Sequence, residues 1–304
     1  MAEAIHRKIT NDRAPSRASR TRPARNTGGL HHLLNAVGRV NADAAGRLAL
    51  ELWRRPWGRS EVRIGERAVH DAAMARTVGH AGRHVVVYRW GDGARPVLLV
   101  HGWGSRSSRY ADLIEALVAH GYSPVAYDAP GHGASLGSTG TIVDHEAIMR
   151  RLGADHGRFE AIVAHSLGVP FALHAVREGL DVDRVVALNG MCDFAYLVDA
   201  FCAELCLSEP VTSGLRRAIE RVLFEGDHGI WRRFSADRAA DCDLLVVHDT
   251  GDAVVAPGQA ARLLAVHHDR STLLETSGLG HSGPLDSPEV IHAVLDFLAT
   301  RRLS

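Results

Sequence analysis

The apolar positions of this chain change period several times, and the changes mark its elements. From Leu30 to Trp57 the residues Leu30, Leu33, Leu34, Val37, Val40, Ala44, Leu48 and Leu52 recur at helical spacing, and Pro56 ends the run. Gly38 and Gly46 weaken that helix slightly. Two strand-like pieces, Ala75 to Val78 and His84 to Trp90, flank Gly79 and Gly82 and predict a hairpin. Pro96 to Val100 is a short continuous apolar run of the kind that a strand buried on both faces shows. Helical and strand patterns then alternate. Helices are expected over Ala111 to His120, Val143 to Leu152, the stretch after Ser166, Gly258 to Ala265 and Pro288 to Thr300. Strands are expected over Pro124 to Tyr127, Ala161 to Ala164, Val185 to Leu188, Leu244 to His248 and Thr272 to Glu275. Alternation at this spacing predicts an α/β fold with a doubly wound, mostly parallel sheet.

One stretch breaks the rhythm. Between Asn189 and Asp243 no buried strand is legible, and two helices are expected from Phe194, Leu197, Val198, Phe201 and Leu205, then Leu215, Ile219, Val222, Leu223 and Phe224. Residues 191–240 therefore read as an insertion.

Composition adds bounds. A chain of 304 residues holds one large α/β domain with an insertion, or two small domains. Its 46% hydrophobic and 23% charged content suits a soluble globular protein, and zero net charge removes any bulk argument for nucleic acid or an anionic membrane. No apolar run approaches the roughly 18 residues of a membrane span. Residues 1–28 carry Arg7, Lys8 and five further arginines against Glu3 and Asp12, with Pro15 and Pro23, and are expected to form a disordered basic tail. An acid-poor, Arg-rich start can mimic a transit peptide, but it lacks the apolar stretch of a secretory signal. Residues 29–64 are a helical extension. Cys192, Cys202, Cys206 and Cys242 lack zinc-site spacing and are expected to be buried free thiols in a cytoplasmic protein. Cys202 and Cys206, four apart on an expected helix, would share a packed face.

The stretch Glu160 to Leu173 carries the chemistry. The buried strand stops at His165, Ser166 stands on a tight turn, and a helix begins at once. A serine there has a strained backbone and an Oγ held out at the end of the sheet. Strand and helix pass so closely that the residues two before and two after must be small, as Ala164 and Gly168 are. Pro170 fits the first helical turn, where its missing N–H would have no partner.

This A-x-S-x-G stretch resembles the nucleophile elbow of the α/β-hydrolase superfamily, with Ala164 in place of the usual glycine. The resemblance implies Ser166 as nucleophile and a chain order of Ser, then Asp or Glu, then His. After the strand Leu244 to His248 comes Asp249-Thr250-Gly251-Asp252, ahead of Val254-Val255 and Pro257, which matches the family's acid turn at Asp252; Asp249 is the fallback. After the last strand, Gly278-Leu279-Gly280-His281 presents His281 where the family's general base lies. By the family's HG-x motif at His101-Gly102-Trp103, the oxyanion donors would be the backbone N–H groups of Trp103 and Leu167, leaving the Trp103 indole to line an acyl pocket. The side chains at His101 and Gly102 are expected to serve only a tight turn and a polar brace. The loop Asp128 to Ser135 resembles the D-x-x-G-x-G-x-S scaffold.

The resemblance covers 65–302 and implies a cap over the site at about 191–240. It implies a serine hydrolase acting through an acyl-enzyme on an ester or related acyl bond of a small, fairly apolar molecule, with no cofactor and no metal. Acyltransferases and perhydrolases use the same triad, and some members bind ligands without catalysis.

Overall fold

The computed structural model describes residues 29–55, 59–236 and 238–300, and the backbone of 6–10. Its strands are β1 (His6–Thr10), β2 (Met74–His80), β3 (Arg83–Arg89), β4 (Pro96–Val100), β5 (Ser123–Tyr127), β6 (Ala161–His165), β7 (Arg184–Leu188), β8 (Asp243–Asp249) and β9 (Ser271–Ser277). The helices are α1 (Leu30–Val40), α2 (Ala42–Trp53), α3 (Arg67–Asp71), α4 (Ala111–Ala119), α5 (Ile142–His156), α6 (Gly168–Arg177), α7 (Phe194–Glu204), α8 (Glu209–Leu223), α9 (Ile230–Arg233), α10 (Pro257–His267) and α11 (Pro288–Ala299).

All the strands join one sheet in the order β1-β9-β8-β7-β6-β4-β5-β3-β2. The β2–β3 and β3–β5 ladders are antiparallel and the others parallel. Strands β5 and β6 are buried at every residue, which is why their sequences read as unbroken apolar runs rather than alternations. On one face Leu113, Ile114 and Leu117 of α4 and Val290, Val294 and Leu298 of α11 share a core with Val97, Leu99, Val163, Val186 and Val247. Burying each such side chain contributes about 1.5–3 kcal/mol. The chain runs from β4 outward to β5 and returns to the other side of β4 as β6, so the winding direction reverses between β4 and β6. A crevice opens beyond the carboxyl ends of the strands at such a reversal.

Contacts divide the chain into two units, one of Met1–Ser19, Trp57–Cys192 and Ala236–Ser304, the other of Arg20–Pro56 and Asp193–Ser235. The extension and the insertion, far apart in sequence, therefore build one body. Within it α2 crosses α8 so closely that a Cβ on Gly46 would lie 2.0 Å from the Gly214 carbonyl carbon, and one on Gly214 would lie 2.0 Å from the Ala42 oxygen. Asp43 pairs with Arg217 at 2.7 Å and Arg221 at 2.9 Å. Asn35 accepts from the Ser208 amide and donates to the Cys206 carbonyl. Phe194 packs against Phe224, Trp231 and Phe234, so it belongs to the core of this unit.

Several expectations are corrected here. Residues 6–10 of the expected tail form a strand paired to β9 from His6↔Leu273 to Thr10↔Ser277. An edge strand offers a row of open main-chain donors and acceptors, and pairing with it needs no apolar pattern. The rest of that tail lies outside the described residues. The single helix expected over Leu30 to Trp57 is two, because Asn41 takes an extended conformation and caps α2 by accepting from the Ala44 amide. Cys206 is not on a helix with Cys202: α7 stops at Glu204 and Cys206 takes a left-handed φ of 50°, with the Leu207 amide returning to the Cys202 carbonyl. The short helices α3 and α9 were not expected. Among the described residues, no helix is long and apolar enough to cross a membrane.

Candidate active site

The elbow is built by close approach. Ser166 has φ 55°, a left-handed conformation that costs a non-glycine residue about 1–3 kcal/mol. Its amide donates to the Leu188 carbonyl of β7 and its carbonyl accepts from Val169 of α6, so the turn is held from both sides. A Cβ on Gly168 would lie 2.3 Å from the Val100 oxygen, and one on Gly102 would lie 2.8 Å from the Ser166 Cβ. The loop after β4 thus presses against the serine, and glycine is required at both contacts.

Ser166, His281 and Asp252 come from the ends of β6, β9 and β8 and meet in one hydrogen-bonded line. Ser166 Oγ lies 3.1 Å from His281 Nε2, and His281 Nδ1 lies 2.8 Å from Asp252 Oδ2. Asp252 Oδ1 accepts from the amides of Val254 and Val255. Burial opposes the charge on Asp252, but the bond to His281 and those two amides outweigh it and hold the carboxyl below its usual range. Among the described residues the amides of Trp103 and Leu167 meet no carbonyl.

Asp249, the fallback acid, is turned away from the imidazole. It accepts from the Gly251 amide of its own turn, and also from the Leu279 and Gly280 amides and the Thr276 hydroxyl. It therefore ties the histidine loop to the acid turn.

Two positioning residues escaped the sequence. Asn189, fully buried with φ 44°, accepts from the Asp249 amide and donates to the carbonyls of Gly280 and His281 at 2.9 Å. The one available signal was an asparagine at a strand end, a residue that tolerates positive φ. His165 Nε2 donates to the His281 carbonyl at 2.9 Å, with its ring 4.8 Å from that of His281. Burial holds the His165 imidazole neutral, its pKa lowered to about 3.

The scaffold behind the site follows the expected pattern. His101 donates from Nδ1 to the Gly102 carbonyl and accepts at Nε2 from the Ala129 amide, which makes it a polar brace. Asp128, fully buried, accepts from the amides of Ser107 and Ala134 and from the Tyr88 hydroxyl. A small cavity lies against this frame, lined by Trp103, Leu167, Ala129, His132, His145 and Phe171. Among the described residues, no group of three His, Cys, Asp or Glu side chains is placed to hold a metal ion.

With this strand order, and a left-handed serine at the reversal of its winding, the chain has the α/β-hydrolase fold. Residues 93–210, under half of the chain, match the family described as serine aminopeptidase, S33. Over 46 residues, 15% of this chain and 16% of the relative, it is 44% identical to a non-heme chloroperoxidase from Kitasatospora aureofaciens, so the match spans a small part of that relative's length. An esterase from Pyrococcus furiosus is 16% identical with a TM-score of 0.59, covering 79% of this chain and 95% of that one. A monoacylglycerol lipase from Paleococcus ferrophilus is 23% identical with a TM-score of 0.54, covering 70% and 98%. Likeness at such identities is likeness of fold.

Proposed function

We propose that the chain is a serine hydrolase that cleaves an ester or related acyl bond of a small substrate through an acyl-enzyme. The observation that carries this reading is the continuous line from Ser166 Oγ through His281 to Asp252. With Asp252 ionised, Nδ1 of His281 keeps its proton and Nε2 is free to take one. As Ser166 Oγ bonds to the acyl carbon, its proton passes to Nε2 and the carbonyl oxygen becomes an oxyanion. The amides of Trp103 and Leu167 are the donors offered to that oxyanion. Collapse breaks the bond to the leaving oxygen, which takes the proton from His281. Water then repeats the sequence on the acyl-enzyme and frees Ser166. Asn189 and His165, both bonded to the His281 carbonyl, hold the base in place.

A second reading keeps the three residues and changes the acceptor from water to a peroxide or an alcohol, and the short match to a chloroperoxidase favours it. A cytoplasmic setting belongs to the same proposal; its support is that Cys192, Cys202, Cys206 and Cys242 form no disulfide.

The test is an active-site-directed fluorophosphonate with p-nitrophenyl esters of increasing chain length. Wild type should be labelled once, at Ser166, and Ser166→Ala should keep its fold while losing several orders of magnitude in turnover. Labelling elsewhere, or full activity in the alanine variant, refutes the assignment. Product analysis with hydrogen peroxide or an alcohol present separates the two acceptors.

A further inference from the structure

Helix α1 is apolar over more of its surface than it buries. Leu34 is 3% exposed and Gly38 is buried, and a Cβ on Gly38 would lie 2.6 Å from Val211 Cγ2 of α8, so this side of the helix is pressed onto the insertion. A second apolar stripe runs beside it. Leu30, Leu33, Val37 and Val40 are spaced three, four and three residues apart, which places them on one face of the helix. Leu33 is 59% exposed and Val40 90%, with Leu30 exposed and Val37 half-buried. His32 and Arg39, also exposed, fall outside that stripe. Single exposed apolar side chains are ordinary, but an unpartnered apolar helix face about 15 Å long marks a surface that something covers.

The sequence in front of the helix narrows what that cover is. Arg13, Arg17, Arg20, Arg22 and Arg25 precede α1 against Asp12 alone, while the whole chain is neutral, so positive charge is concentrated here. Arg25 is five residues from Leu30, and a chain spans at most about 3.6 Å per residue, so this charge stays within about 18 Å of the start of the stripe. Residues 11–28 hold no apolar side chain larger than alanine or proline, so they bring no apolar cover of their own. A second copy of the chain would bring two such arginine-rich segments together, and their like charge opposes that pairing. A lipid leaflet with anionic headgroups offers an apolar layer and negative charge in one surface.

We propose that α1 lies in the plane of an anionic lipid surface, with Leu30, Leu33, Val37 and Val40 seated at the level of the acyl chains and the preceding arginines on the headgroups. Each arginine held near such a leaflet strengthens binding by about fivefold. The stripe is short, so stable attachment takes both signals together. This attachment is independent of the hydrolase reading and uses none of Ser166, Asp252 and His281.

The experiment floats the full chain with vesicles of phosphatidylcholine alone, or of phosphatidylcholine with about 30% phosphatidylglycerol to supply the anionic charge. Wild type should partition onto the anionic vesicles at least about a hundredfold more strongly than onto the neutral ones, and high salt should remove most of that difference. Leu33→Gln combined with Val40→Gln should weaken partitioning by about tenfold and keep the headgroup preference. Arg20→Gln, Arg22→Gln and Arg25→Gln together should weaken binding to the anionic vesicles by about a hundredfold. Both variants should keep the wild-type thermal midpoint, which separates a lost surface from a lost fold. Equal partitioning of wild type onto the two kinds of vesicle, or none onto either, overturns the proposal with no variant needed. Undiminished binding by either variant overturns it as well. So does a dimer in solution that Leu33→Gln with Val40→Gln splits, since the stripe would then be covered by a second copy.

Discussion

Asp249 and Asp252 lie in one turn and are engaged in different ways. Asp252 gives one oxygen to His281 and the other to two amides, whereas Asp249 gives both to a framework of three amides and a hydroxyl. Asp252→Asn should hold the fold yet lower kcat by about 10⁴-fold, because an amide favours the wrong tautomer of His281. In Asp249→Asn an NH2 group would face N–H or O–H donors. The expected result is a loss of about 2 kcal/mol of stability with a smaller fall in kcat, as the loop carrying His281 loosens. Measuring kcat and thermal midpoint for both variants separates the roles, and the reverse pattern would make Asp249 the acid. Both aspartates were legible as candidates in the sequence. The reach of Asp249 across to residues 279 and 280 was not, because it depends on β8 and β9 being neighbours.

Helix α2 illustrates the same division. Its apolar period was readable, and its glycine looked like a simple cost. In the structure Gly46 is the contact point, since its missing Cβ lets α2 lie against the backbone of α8 at Gly214. Alanine at either position gains up to about 1 kcal/mol in helix propensity. The added methyl, however, would meet main-chain atoms at 2.0 Å, and main chain does not yield as a side chain does. Overpacking costs about 1–3 kcal/mol, so Gly214→Ala should lower the thermal midpoint. Gly258→Ala in α10, where nothing lies within 4 Å of the added methyl, should leave it unchanged or raise it. Equal shifts in the two variants would mean that the crossing is looser than described.

The protein as a whole stores an acid sensitivity in its buried imidazoles. Burial holds His101, His248 and His267 below the ordinary histidine range, with His145 well below it, His132 at about 4 and His165 at about 3. In the unfolded chain these rings take up protons near pH 6.5, while in the native chain they do not. Between that value and the folded pKa the unfolded state binds more protons, so stability rises with pH and is lost on acidification. Each such ring contributes up to about 1.4 kcal/mol per pH unit in its window. Urea midpoints should therefore drop steeply from pH 6.5 to pH 5, before the carboxylates titrate. Asp128 and Asp252, whose folded pKa values are lowered, add a second loss only below about pH 4. A midpoint that stays flat from pH 7.5 to pH 5 would contradict this account.

The sequence by itself determined the parts whose signal is local burial or local sterics. Strands β4 to β8 read as unbroken apolar runs because both their faces are covered. The elbow at Ser166 was legible because a serine between small residues at a strand end needs little context, and Asp252 and His281 stood out as candidates through their resemblance to the family's acid turn and histidine loop. Tertiary structure decided whatever depends on a distant partner. The pairing of β1 with β9 rests on main-chain bonds that no side-chain pattern records. The union of the extension with the insertion depends on two glycines about 170 positions apart meeting at a crossing. The clamp of Asn189 and His165 on the His281 carbonyl exists only once strand ends are brought together, since hydrogen bonds satisfied in space leave no period along the chain.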